Sequence, residues 1–210
     1  MAVSKARAGK PAIVGRPRGF DMDEALDRAL DVFWRNGYEG ASVSDLTLAM
    51  GINPPSLYAA FGNKEQLFRK ALDRYMQQHE EFFREALAQP KARDGLAALF
   101  SKTAEALTSK TSPRGCLLVQ GVAGAGDHAQ CIRDQLSAGR AVNEKLIRDR
   151  LKRAKAEGEL AKSADPAALA RFVSTVMQGM AVQAAGGASR KDLEAVAATA
   201  MAAWPAKGRR

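Results

Sequence analysis

Residues 42–64 read SVSDLTLAMGINPPSLYAAFGNK, which predicts two short helices joined by a tight turn, with a third helix following at once. Ser42 caps the first helix, and Asp45, three residues on, answers it as a variant of the capping box. Leu46, Ala49 and Met50 form its apolar side. Gly51 suits the left-handed position that ends a helix, and Ile52 plugs the turn into a core. Asn53 caps the second helix, and Pro54 and Pro55 sit in its first turn, where a missing N–H costs nothing. That helix has only about one and a half turns, too few to be stable alone. A short helix held out by such a turn is a device for entering the DNA major groove.

The charge of the chain agrees. It has 210 residues, is 46% hydrophobic and carries a net charge of +9, with a pI of about 9.8. A chain so basic meets a polyanion, or it simply carries a well-solvated basic surface. The placement favours the polyanion. Lys5, Arg7, Lys10, Arg16 and Arg18 all precede the first acidic residue, Asp21, among glycines and prolines. Residues 1–20 are therefore expected to be a flexible basic arm. The arm lacks the apolar stretch of a signal peptide, and no apolar run is long enough to span a bilayer. A soluble cytoplasmic chain, with no membrane partner, is expected. Cys116, Cys131, His79 and His128 lack metal-site spacing, so no metal and no cofactor are expected, and both thiols are read as reduced.

Outward from the turn, every periodic segment is helical, and the expected fold class is all-α. Met22, Leu26, Ala29, Leu30 and Phe33 mark a first helix, capped by Asp21 and ended by Gly37. A helix starting near Lys64 runs to about Leu87 and buries Leu67, Phe68, Leu72, Tyr75 and Phe83. PKARDG at 90–95 is a break. Further helices follow, separated by a loop at 109–115 and by CLLVQGVAGAG at 116–126, a buried short helix or packed turn. Asp165-Pro166 starts another, and a last one carries Leu193, Val196 and Trp204. The expected division is an arm at 1–20, a DNA-binding domain at 21–80 and a helical effector-binding and dimerisation domain at 81–210.

GRPRGF, then NGYEGASV, then the turn and PSLYAAFGNKEQLF together resemble the N-terminal domain of the TetR/AcrR family of bacterial transcriptional regulators. The match covers about residues 16–70, with cap, turn, Tyr58, Phe61 and Lys64 in register. The resemblance implies a homodimer through the last two helices, a palindromic double-stranded DNA operator and a small-molecule effector in the C-terminal helices. It also assigns roles. Ser42, Ser56, Tyr58 and Lys64 fall at phosphate-contacting positions, which suits small hydroxyls, a phenol and a lysine at a helix start. Ser42 serves equally as a cap, and Tyr58 can pack on Phe61. By the same register Ser44, Pro54, Pro55 and Ala59 face the groove floor, with Asn53 at the helix start. No Arg, Gln or Asn stands among the first four to bind a purine bidentately, which leaves thymine methyls, Ser44, Asn53 and DNA shape. Arg16 and Arg18 suit the flanking minor groove, or supply counterion release alone.

Phe100, Cys116, Gln120, Phe172, Val176, Met177 and Met180 lie on predicted inner faces of the C-terminal helices. Aromatics and methionines so spaced are ordinary core, and also what an adaptable apolar pocket uses. Gln120 is a polar side chain in an apolar run, and His79 is a further candidate from the fourth helix. Gly179, Gly186 and Gly187 let helices approach closely, within one chain or between two. The function expected is a transcriptional regulator, usually a repressor, with a non-specific or architectural DNA binder as the alternative. No nucleophile–base set or metal cluster suggests an enzyme. GVAGAGD at 121–127 follows no strand, as a nucleotide loop would.

Overall fold

A computed structural model describes residues 20–121 and 130–205. Among them are nine helices and no strand: α1 (Met22–Gly40), α2 (Val43–Met50), α3 (Pro54–Phe61), α4 (Lys64–Leu87), α5 (Ala92–Leu107), α6 (Leu117–Gln120), α7 (Gln130–Ala156), α8 (Pro166–Ala185) and α9 (Arg190–Ala202). No helix among the described residues is long and apolar enough to cross a membrane.

Local chemistry sets the helix ends. The Asp21 carboxylate accepts from the N–H groups of Asp23 and Glu24 at 2.8 and 3.1 Å. Ser42 and Asp45 form the reciprocal box, with Asp45 N–H donating to Ser42 Oγ at 3.0 Å and Ser42 N–H to Asp45 Oδ2 at 3.1 Å. Gly51, at φ 68 and ψ 31, closes α2 in the left-handed region, where a β-carbon would be strained. At the end of α1 the outcome is more complex than expected. Gly37 leaves helical geometry at φ 69 and ψ 176, yet helical turns resume through Gly40.

Two cores are joined by one helix. The first gathers Phe33, Leu46, Leu57, Phe68 and Tyr75 from α1–α4. Phe33 and Phe68 meet edge to face at 5.0 Å, an arrangement worth about 0.5–1.5 kcal/mol beyond burial. The second gathers residues of α5, α7, α8 and α9 with the C-terminal turns of α4, among them Phe83, Leu99, Phe100, Leu151 and Met180. α4 therefore runs unbroken across the expected boundary at residue 80, with Phe68 in one core and Phe83 in the other. Leu117, Leu118, Ile132 and Leu136, from α6 and the start of α7, also pack into the first core.

Candidate DNA interface and effector cavity

α3 is presented outward by a small number of contacts. Leu57 and Phe61 anchor its inner face in the core. Asn53 Oδ1 accepts from Ser56 N–H at 2.9 Å, so the side chain of Asn53 is engaged as a cap. Pro54, Pro55, Tyr58 and Ala59 are exposed on the other side, with Ser42 and Ser44 exposed beside them on α2 and Ser56 half-buried. Tyr58 is 52% exposed, so about half of its side chain is open to solvent. Leu48, one turn beyond Ser44 on α2, is 83% exposed, the largest apolar exposure on this face and one the periodicity of so short a helix does not disclose. Arg16 and Arg18 lie outside the described residues.

Lys64 is held at the start of α4. Its ammonium sits 4.6 Å above the Tyr38 ring and donates to Glu39 O at 3.4 Å. Burial lowers its pKa from the usual lysine value, opposed by Glu39. The α4 start is capped by Asn63, which accepts from Gln66 N–H at 2.8 Å, so Lys64 stands at an ordered helix N-terminus. Arg74 ties α4 to α1, donating to Asp27 Oδ2 at 2.7 Å and to Asp23 Oδ1 at 3.0 Å.

α1, α4, α5, α6, α7 and α8 line a cavity of about 300 Å³, at the small end of small-molecule sites. Its walls mix apolar and polar groups. Trp34, Tyr75, His79 and Phe82 come from α1 and α4. The rings of Trp34 and His79 lie 4.9 and 4.2 Å from that of Tyr75. The Tyr75 hydroxyl donates to Cys116 Sγ at 3.2 Å. Burial lowers His79 to about 4, so its ring is neutral at ordinary pH. Burial pushes the Cys116 thiol up, with the Tyr75 hydrogen bond acting the other way. Both cysteines are free thiols.

Of the pocket candidates from sequence, Cys116 and Met177 line this cavity. Phe100 and Met180 lie in the second core, with Val176 packed against it. Gln120 stands against Gly115, where an added β-carbon would come within 2.4 Å of its amide oxygen. Phe172 on α8 is 41% exposed, and Val182 on α8 and Val196 on α9 are exposed to 55% and 43%. Trp34, Thr103, Arg140, Asn143 and Ser174 also line the cavity, and no sequence motif marks them. Their one signal is that Thr103, Asn143 and Ser174 are polar residues within otherwise apolar helix faces.

Two family models match the chain: "Bacterial regulatory proteins, tetR family" over residues 25–71 and "Tetracyclin repressor-like, C-terminal domain" over residues 92–201. The chain is 37% identical over 196 residues to the HTH-type transcriptional repressor ComR of Escherichia coli (strain K12), covering 91% of this chain and 92% of that one. It is 29% identical over 191 residues to the HTH-type transcriptional repressor BdcR of the same strain, covering 90% and 91%. Among solved structures, a cysteine mutant of the TetR family transcriptional regulator CifR complexed with 26bp double-strand operator DNA is 49% identical. It superposes with a TM-score of 0.88 over 90% of this chain and 100% of that one.

Proposed function

The chain belongs to the TetR family of bacterial transcriptional regulators, and on that premise we propose that it is a ligand-responsive repressor that binds a palindromic operator as a homodimer. The observation that carries the reading is α3: eight residues, capped at its start, anchored by Leu57 and Phe61, and bare on the side that carries Pro55, Tyr58 and Ala59. Its likeness to a chain solved on operator DNA supports the same use of this face. Ser42, Ser56, Tyr58 and Lys64 hold phosphates. Ser44, Asn53, Pro54, Pro55 and Ala59 meet the groove floor, where apolar side chains touch thymine methyls. Arg16 and Arg18 reach the flanking minor groove. Footprinting purified protein on the DNA flanking its own coding region tests the proposal. A protected inverted repeat is the expected result; uniform protection without a preferred site contradicts it.

Lys64→Ala is expected to weaken binding to operator and scrambled DNA alike and to reduce the salt slope by about one unit, because one phosphate contact is lost. Affinity against salt concentration checks this. A loss confined to the operator with an unchanged slope would remove Lys64 from the phosphate contacts.

The exposed apolar side chains of Phe172 and Val182 on α8 and Val196 on α9 support a homodimer through these two helices. Two copies bring two α3 helices to successive major grooves, about 34–36 Å apart on one face of the duplex. Val182→Glu, on a residue 55% exposed in the single chain, is expected to leave the fold intact and shift the mass in light scattering from twice 22.5 kDa toward 22.5 kDa. An unchanged dimer would move the interface elsewhere.

Release follows from the cavity's position. Trp34 stands on α1 and Tyr75 and His79 on α4, the two helices that carry α2 and α3. A ligand empties the operator only by binding the released arrangement better than the DNA-bound one. Moving the population from 1:99 to 99:1 requires a preference of about 10⁴-fold.

A further inference from the structure

The polar groups of the cavity say what kind of molecule it takes. Trp34 Nε1, His79 Nδ1, Thr103 Oγ1, Asn143 Oδ1 and Ser174 Oγ are buried with no hydrogen-bond partner among the described residues. So many orphaned polar atoms on residues lining one cavity are costly for an empty site, and a bound molecule relieves that cost. Trp34 Nε1 can only donate, and the hydroxyls of Thr103 and Ser174 can donate. Asn143 Oδ1 can only accept, so the walls offer donors from Trp34, Thr103 and Ser174 beside one amide acceptor.

Their charge is one-sided. Among the described residues Arg140 is the only Lys or Arg lining the cavity, and no Asp or Glu lines it. Arg140 Nη1 donates to Leu118 O, which fixes the guanidinium in the wall. Burial raises the pKa of the Cys116 thiol, and the Arg140 charge opposes that rise only as the smallest of several effects. Cys116 is bonded to Tyr75, on whose ring Trp34 stands edge-on. Arg140 and Trp34 line the same cavity, while Phe82, Val119 and Met177 supply apolar wall. A cationic molecule would meet Arg140 with no counter-charge in the lining. A carboxylate would supply the missing charge and the acceptor that the indole lacks.

We propose that the cavity selects a small organic carboxylate, its apolar body against Phe82 and Met177 and its anion held by Arg140 and the Trp34 indole N–H. This rests on the effector role of the cavity proposed above, and it adds a direct contact from the ligand to α1.

The test is calorimetry of the full-length protein with three probes of one shape: phenylacetate, its neutral amide and phenethylamine. Phenylacetate is expected to bind about tenfold or more tighter than the amide, the scale of a hydrogen bond to a charged group, with the amine silent. Trp34→Phe keeps the ring and deletes the N–H. It is expected to weaken phenylacetate roughly fivefold or more while the Tm of the free protein stays level or rises, because an orphaned donor has gone. Arg140→Gln is expected to erase the preference for the anion over the amide. Equal affinity for acid and amide, binding of the amine, indifference to Trp34→Phe, or no binding of any probe would each overturn the carboxylate assignment. Operator binding by the same preparation is read separately, so the repressor reading falls only if that binding is absent.

Discussion

Phe33→Ala is expected to cost about 3–5 kcal/mol of folding stability, the range of large aromatic truncations in a packed core. Phe33 is 0% exposed. It meets Phe68 edge to face at 5.0 Å and stacks near Tyr38 at 6.4 Å, so it joins α1 to α4 beneath the helix-turn-helix. Its loss leaves a void that Leu46 and Leu57, fixed in their own packing, cannot fill. Operator affinity should fall with stability even though no DNA-facing side chain has changed. Chemical denaturation of the free protein checks it. A loss under about 1 kcal/mol would mean that Phe33 does not bind α1 to α4 through a tightly packed first core.

Arg150→Ala is expected to cost about 3 kcal/mol or more, the scale for removing one member of a buried ion pair. The Arg150 side chain is 4% exposed. Its guanidinium donates to Pro90 O at 3.0 Å and Gln89 O at 3.3 Å, and pairs with Glu159 at 3.4 Å. Glu159 in turn accepts from Ala92 N–H at 2.6 Å, at the start of α5. One arginine on α7 thus holds both the turn between α4 and α5 and the segment after α7. Removing it leaves the Pro90 and Gln89 carbonyls without this donor and the Glu159 carboxylate, 22% exposed, with the Ala92 N–H but no counter-charge from Arg150. Arg150→Met should cost less, because it keeps the apolar stem. A double-mutant cycle with Glu159→Gln should show coupling, as residues sharing one network do. Additive losses would mean that Arg150 and Glu159 act independently.

The parts of this molecule that depend on neighbours a few residues away are legible in the sequence alone. The Ser42–Asp45 box, Gly51 in the left-handed region and Asn53 over Ser56 are interactions spanning three residues or fewer, and each stands where residue type and spacing put it. α8 begins at the Asp165-Pro166 pair for the same reason. Gly37 shows the limit even here: glycine marks a departure from helical geometry, but only packing decides that turns resume through Gly40.

The cavity is less legible, because its walls come from six helices whose relative placement is a long-range matter. Trp34 is next to Phe33 in the chain, yet one side chain lies in the core and the other faces the cavity. Periodicity assigns a helix one apolar stripe. α8 has more than one apolar side: Val173 is 4% exposed, Met177 lines the cavity, and Val182 is 55% exposed. No helical repeat tells which apolar residue meets a core, a ligand or a second chain. The joining of Leu117 and Ile132 to the first core is non-local in the same way.

If the exposed face of α3 reads a specific operator, the protein must prefer one duplex over others of equal length and charge. The most direct measurement is competition between the DNA flanking the coding region and a scrambled duplex of equal length, with full-length protein at physiological salt. A preference of about 10³-fold or more for the flanking DNA is the predicted result. Equal affinity for the two duplexes would contradict it and leave the basic chain a non-specific DNA binder.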